Sequence, residues 1–280
     1  MANQHFAKFA DIWKHLPLAE ALRVDQPRRY WETLAGSGSY LLTESPERDF
    51  GLYWFLPRAL KSELADSLYV ELLSSEAGTD EVPVHYPGSA MFAMLTLGRN
   101  AHDYVLCDLD RDSAADLRRT AERTGLADLT RIFELDGPTV IERELSRLPS
   151  AQVASTLCFI DPFDPFGAAR GAMSSIDLAT ALSAAALEVV YWYGYDQPDD
   201  AMWPLRYFGD QTSAWCGDML LPERDESGLI GCGVVLANVS QDAVDRCQKL
   251  GLAVETLYRD ARLPSGATGS VRFSTAQPRR

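Results

Sequence analysis

The stretch with the densest chemical content is Phe159-Ile160-Asp161-Pro162-Phe163-Asp164-Pro165-Phe166-Gly167. An apolar run enters Asp-Pro-Phe twice in succession. Proline fixes its own φ, so this loop is stiff, and it presents carboxylates and flat aromatic rings at set places. Asp161, Phe163 and Asp164 are therefore the candidate reactive residues. A second candidate is Glu32-Thr33-Leu34-Ala35-Gly36-Ser37-Gly38. Gly36 and Gly38 permit positive φ and close approach of a ligand to the backbone, and Glu32 can receive an ammonium group. The competing reading is a tight turn, since the full dinucleotide fingerprint is absent. Asp108 ends the run Tyr104–Cys107, where a carboxylate can accept both hydroxyls of a cis-diol; equally, Asp108 or Asp110 can open the helix that follows. Asp136, in Asp136-Gly137-Pro138, can accept from an adenine amino group or cap a helix ahead of Pro138. Ser89, after Tyr86-Pro87-Gly88, is a candidate N-cap at a helix start that can also receive an anion.

Each of these acids or glycine turns follows a short β-rich run. The runs are 29–34, 104–109, 130–135, 155–160, 188–193, 232–237 and 270–274. Helical patterns at 112–124, 138–147, 176–186 and 241–250 lie between them. Such alternation predicts an α/β fold with a mostly parallel seven-stranded sheet between helices. The runs at 155–160 and 187–193 are almost wholly apolar, as strands covered on both faces are. Residues 41–85, with a helix expected over 57–74, are too long for an ordinary βα connection. They predict a small helical insertion over the carboxyl edge of the sheet, inside a single domain spanning 1–280. A polar turn at 223–228 suggests a hairpin-like element over 215–235. The N-terminal segment around His15 reads as polar and amphipathic.

Composition narrows the partners. The 280 residues carry 40 Asp and Glu against 26 Lys and Arg, a formal net charge of −14. A polyanion is repelled by this sign unless a basic patch overrides it, and no run of five or more basic residues exists. RNA is therefore disfavoured and a small-molecule partner favoured. Five scattered cysteines predict reduced thiols in a cytoplasmic protein. His and Cys spacings predict no metal site. Apolar stretches fall well short of the ~18 residues of a membrane span, and the first residues lack the apolar core of a signal peptide.

Glycine turn, acid after the second strand, acid after the third and Asp-Pro-aromatic after the fourth follow in the order of class I S-adenosylmethionine (SAM)-dependent methyltransferases. More narrowly, the chain resembles the RlmJ-type 23S rRNA adenine-N6 methyltransferases. Ala10-Asp11-Ile12-Trp13-Lys14-His15 matches that family's Ala-Asp-x-x-Lys-His segment, Tyr86–Ser89 its Tyr-Pro-Gly-Ser, and residues 32–38 its glycine motif. The resemblance runs over roughly residues 4–275 and implies a Rossmann-like SAM-methyltransferase fold with SAM as cofactor. It implies that His15, Glu32, Gly36, Gly38, Ser89, Asp108, Asp136 and Asp161 form the cofactor site, with Asp161 also orienting the substrate amine. Two departures stand out. The family's Asp-Pro-Pro-Tyr is Asp161-Pro162-Phe163-Asp164 here, so an acid replaces the stacking aromatic, with Phe163 or Phe166 left to compensate. Leu34 replaces a histidine.

Three functions follow as expectations. The first is a SAM-dependent methyltransferase acting on a small-molecule amine or similar nucleophile. The second is adenine-N6 methylation of 23S rRNA. The third is a SAM-binding protein that transfers no methyl group, either degenerate or releasing methylthioadenosine by intramolecular displacement.

Overall fold

The computed structural model describes residues 6–78, 82–168, 172–208 and 213–277. Its centre is an eight-stranded sheet: β1 (Arg29–Glu32), β2 (Asp103–Cys107), β3 (Thr130–Phe133), β4 (Thr156–Ile160), β5 (Glu188–Tyr195), β6 (Ala214–Leu220), β7 (Gly231–Ala237) and β8 (Arg272–Ala276). The spatial order is β8-β6-β7-β5-β4-β1-β2-β3. Strands β3, β2, β1, β4 and β5 are parallel. Strands β7, β6 and β8 join antiparallel. The sequence pattern gives seven of these strands and assigns the eighth, β6, to a hairpin. That hairpin exists, and both its arms belong to the main sheet. The order reverses at β1, which lies between β2 and β4, and open α/β sheets bind ligands at the carboxyl edge of such a switch point.

Nine α-helices occur among the described residues: α1 (Phe9–Asp25), α2 (Pro46–Phe50), α3 (Leu52–Ala59), α4 (Leu68–Ala77), α5 (Ser89–Leu97), α6 (Arg111–Arg123), α7 (Gly137–Arg147), α8 (Ser175–Ala184) and α9 (Gln241–Leu257). One core joins α1, α3, α4, α5, α6 and α9 on one face of the sheet. A second core joins α7 and α8 on the other. All five residues of β4 are buried, as a strand covered on both faces requires. No described helix is long and apolar enough to cross a membrane.

Two local expectations are corrected. The segment around His15 is not a polar surface helix: thirteen of the seventeen residues of α1 are buried. Its polar side chains are consumed inside. Glu20 accepts from the Leu68 amide at 2.9 Å and from Arg246 at 2.6 Å, and the Trp13 indole donates to the Gly217 carbonyl at 3.0 Å. The helix expected over 57–74 is two helices. Ser62 and Ser67 accept from backbone amides and start a 3-10 turn and α4 in turn, so their hydroxyls break the pattern. The insertion is closed at its base by a ribbon of Ser39–Leu41 against His85–Pro87. Its apolar residues continue the α1-side core. Arg48 donates to the Phe6 carbonyl at 3.2 Å and stacks over the Phe6 ring, fixing the segment that enters α1.

At the opposite, amino edge, Glu188 begins β5 with Oε2 buried and without a hydrogen-bond partner among the described residues. Burial, then the charge of Asp25, pushes its carboxyl up to about 8. The folded protein thus holds a proton that the unfolded chain releases above its ordinary carboxyl range, so stability declines as pH rises from about 4.5 to about 8. Glu188→Gln removes this penalty. Thermal denaturation is expected to show a higher Tm than wild type at pH 8.5 and little difference at pH 4.

Candidate active site

A cavity of about 480 Å³ opens at the carboxyl edge over β1, β2 and β4, in the range of small-molecule sites. Its floor is the turn after β1. Gly36 has φ +59°, and a Cβ there would fall 2.3 Å from the Tyr40 hydroxyl, so only glycine fits. The Gly36 amide donates to Asp108 Oδ2 at 2.8 Å, and the Asp110 amide to Asp108 Oδ1 at 2.8 Å. Asp108 therefore ties the turn to the end of β2, and each of its oxygens keeps a second lone pair for a ligand. Asp110 caps α6 by accepting from Ser113 at 2.9 Å. Asp136 caps α7, accepting from the amide and hydroxyl of Thr139, and also lines the cavity. Asp136 is thus a helix cap that also stands at the cavity wall.

Asp161 ends β4. Its Oδ2 accepts from Lys14 Nζ at 2.8 Å, and the same ammonium lies 2.8 Å from Asp11 Oδ1. Burial alone would lower the Lys14 pKa, but the carboxylates of Asp11 and Asp161 outweigh it and raise it. Burial likewise opposes ionisation of Asp11, and the Lys14 charge and hydrogen bond overcome it, holding that carboxyl below its usual range. His15 donates to or accepts from Tyr86 at 2.7 Å, and Tyr86 pairs with Tyr69 at 2.9 Å. Burial, then the Lys14 charge, pushes the imidazole down to about 3, so it is neutral. Sequence reasoning missed the roles of Asp11, Lys14, Tyr40 and Tyr86. All but Tyr40 stand in motifs named above, but nothing in the spacing of Lys14 reveals a partner 147 residues away.

Other candidates are displaced. Glu32 does not line the cavity. It shares a strand face with Tyr30, and its carboxyl takes hydrogen bonds from Tyr30 at 2.9 Å and from the Ser89 hydroxyl. Burial outweighs these bonds and pushes it up to about 8, so at neutral pH it is largely protonated and offers no charge to a ligand's ammonium. Ser89 is not the N-cap of α5. Gly88 holds that position, and Ser89 lies one residue inside with its hydroxyl on Glu32, at the cavity wall. Gly38 is a packing position, since a Cβ there would meet the Thr120 side chain of α6 at 2.3 Å. Asp164 borders the cavity and accepts from the Phe166 amide at 3.0 Å, a local turn bond. Phe163 is 83 % exposed at the rim, while Phe166 packs against Trp203 and Tyr207 away from it. Of the two aromatics, only Phe163 is placed to meet a ligand. All five cysteines are free and buried. His5 lies outside the described residues.

No family model matches the chain, and no curated protein sequence matches it. Solved structures do. Protein LPL1258 from Legionella pneumophila str. Philadelphia 1, described under the family model DUF519, superposes with a TM-score of 0.74. It covers 98 % of both chains at 20 % identity. The two chains share one fold. The O-methyltransferase TomG from Streptomyces achromogenes, solved with SAM, aligns more loosely. It covers 79 % of this chain and 77 % of its own, with a TM-score of 0.39 and 13 % identity. An O-methyltransferase from Bacillus cereus in complex with SAH is similar at a TM-score of 0.37 and 11 % identity, over 79 % and 78 % of the two chains. In this chain the residues after β1, β2, β3 and β4 all converge on one cavity.

Lys14→Met leaves Asp11 and Asp161 facing one another without their shared cation. Removing one partner of a buried pair costs roughly 3–5 kcal/mol, and partial exposure of Asp161 brings the expected loss to about 2–3 kcal/mol. Asp11 is depressed in the folded state, so its contribution is present at pH 7 and is lost as pH falls through its folded value. Urea denaturation is expected to show the full loss at pH 7 and a smaller one at pH 3.

Proposed function

We propose that this chain is a SAM-dependent methyltransferase acting on a small-molecule amine. The observation that carries the reading is the charge of the cavity. Asp11, Asp108, Asp110, Asp136, Asp161 and Asp164 line it, against one ammonium, Lys14, and a neutral His15. Such a lining attracts a ligand with cationic centres and repels a polyanion. SAM carries a sulfonium and an ammonium, and the donor set fits the rest of it. Asp108 is suited to ribose hydroxyls and Asp136 to an amino group on a base. Leu109, Leu135 and Pro138 offer apolar surface for a flat ring. The turn at Gly36 keeps backbone without side chain at the floor.

SAM when bound supplies a methyl group on an electrophilic sulfonium. The chain's part is placement and desolvation. Lys14 occupies Asp161 Oδ2 and fixes the carboxylate at the end of β4. Asp161 Oδ1 accepts no hydrogen bond among the described residues, and this is the atom assigned to a substrate N–H. Holding that N–H turns the nitrogen lone pair toward the cofactor cavity. Phe163 and Pro162 border the same point. The resemblance to RlmJ-type enzymes supports the cofactor assignment. Asp164 at the position of the family's stacking aromatic and the acidic lining both weigh against an RNA substrate.

Calorimetric titration with SAM is expected to show one site, and turnover to yield S-adenosylhomocysteine. Asp108→Ala is expected to weaken SAM at least tenfold. Asp161→Ala is expected to cut turnover at least a hundredfold while SAM affinity stays within tenfold. Absence of SAM binding sinks the proposal. Methylthioadenosine as product replaces methyl transfer by intramolecular displacement, and labelling of protein-free rRNA replaces the small amine by RNA.

A further inference from the structure

Glu32 ends β1 beneath the large cavity and is fully buried. Its two oxygens meet two hydroxyls, Tyr30 at Oε2 (2.9 Å) and Ser89 at Oε1. Lys14, the cation whose charge reaches it, is bonded to Asp11 and Asp161 instead. A buried carboxylate without a cation of its own is costly, and such a group keeps its proton. Burial accordingly pushes the Glu32 carboxyl up to about 8. The other titratable groups facing it add no free charge. Tyr30 on its own strand, Tyr40, and Cys107 and Cys158 on the flanking strands are all pushed up by burial and stay neutral. Asp161 is paired with Lys14.

As a carboxylate Glu32 accepts from both hydroxyls; as an acid, one of its oxygens must donate. Where the hydroxyl hydrogens can go decides which. Tyr30 is fully buried, and Glu32 is the acceptor for its hydroxyl. A proton on Oε2 would turn the Tyr30 hydrogen into apolar core, and buried donors are ordinarily paired. The proton therefore sits on Oε1 and is given to Ser89 Oγ. That bond frees the hydrogen of Ser89, a residue of the cavity wall. When Glu32 ionises the bond reverses, and Ser89 turns only lone pairs toward the cavity. The place of Ser89 says what its hydrogen meets. With ribose at Asp108 and the base at Asp136, the methionine part of the cofactor is left to the wall that carries Ser89. Its sulfonium and ammonium suit the surrounding aspartates, but its carboxylate needs donors. Ser89 stands in the first turn of α5, where unpaired amides also favour an anion.

We propose that Glu32 is a positioning residue for the cofactor: as a neutral acid it donates to Ser89 and so turns the Ser89 hydroxyl toward the carboxylate of SAM. The ligand rests on the SAM reading; the order of hydrogen bonds between Glu32 and Ser89 does not. Donation to the cofactor is present while Glu32 is protonated, below about 8, and is lost above it.

Calorimetric titration of the full chain with SAM at pH 6.5 and pH 9.5 compares wild type, Glu32→Gln, Ser89→Ala and the double variant. Gln keeps the shape of Glu32 and gives Ser89 an N–H at every pH. Wild type and Glu32→Gln are expected to bind within threefold of each other at pH 6.5. At pH 9.5 Glu32→Gln should bind at least tenfold more tightly. The cofactor's own ammonium titrates alike in all four proteins and cancels in the comparison. In the Ser89→Ala background Glu32→Gln should change affinity by less than threefold at either pH, a silence that a purely structural role for Glu32 does not produce. Decarboxylated SAM, which lacks the acceptor, should show no gap between wild type and Glu32→Gln. Infrared difference spectra of the ligand-free proteins, wild type against Glu32→Gln, should carry the stretch of a protonated carboxyl at pH 6.5 and lose it at pH 9.5. The proposal is overturned if wild type and Glu32→Gln share one pH profile, if the gap persists without the Ser89 hydroxyl, or if decarboxylated SAM shows it too. SAM binding without the infrared band sinks this inference alone. The band without SAM binding sinks the SAM reading and, with it, the ligand named here.

Discussion

Lys14 shares one ammonium between Asp11, on its own helix, and Asp161, at the end of the central strand β4. In a setting this enclosed, two carboxylates facing each other without a cation would repel strongly. The lysine makes the approach of α1 to the strand end favourable. Much follows from that approach. It brings His15 to the wall of the large cavity, sets Asp161 with one oxygen engaged and one open, and forms the seam at which two cavities of different character meet. The acidic cavity lies on one side, a cavity of about 370 Å³ walled in part by Tyr191, Trp192, Tyr193 and Trp203 lies on the other, and the same ion pair belongs to both.

The insertion serves this arrangement from a distance. Its helices extend the core on the α1 side, and Arg48 grips the backbone and ring of Phe6 just ahead of the helix. Phe6 stacks on Tyr40 at 4.8 Å, and the Tyr40 hydroxyl accepts from the Ser37 amide at 2.8 Å in the glycine turn. The insertion, the entry to α1 and the floor of the cavity are thus linked through two rings and a guanidinium. An element outside the sheet order thereby helps define the site.

Much of this was legible from sequence because the sheet places strand ends by rule. An acid that follows an apolar run arrives at the carboxyl edge, which is why Asp108, Asp136 and Asp161 were found and why they converge. Depth misled at Glu32. Register pairs it with Leu106 and Phe159, two residues before Asp108 and Asp161, so it lies below the edge and its carboxyl stays in the core with Tyr30. Gly38 was misread because a glycine needed for helix packing looks the same in sequence as one needed for a ligand. The burial of α1 was not legible at all. Its charges look like a solvated face until their partners are known, and those partners, Asp161 and Arg246, come from distant strands and helices. The eighth strand was hidden by the same locality, since a hairpin arm announces its neighbour but not its sheet.

The distances along the chain of the bonds that hold α1 set an order of assembly. Asp161 lies 147 residues after Lys14, Gly217 lies 204 after Trp13, and Arg246 lies 226 after Glu20. Helix α1 therefore cannot make these bonds until chain 147 to 226 residues downstream has been made. Until then its apolar surface and charged side chains wait unsatisfied, and the shared ion pair cannot form before Asp161 has emerged.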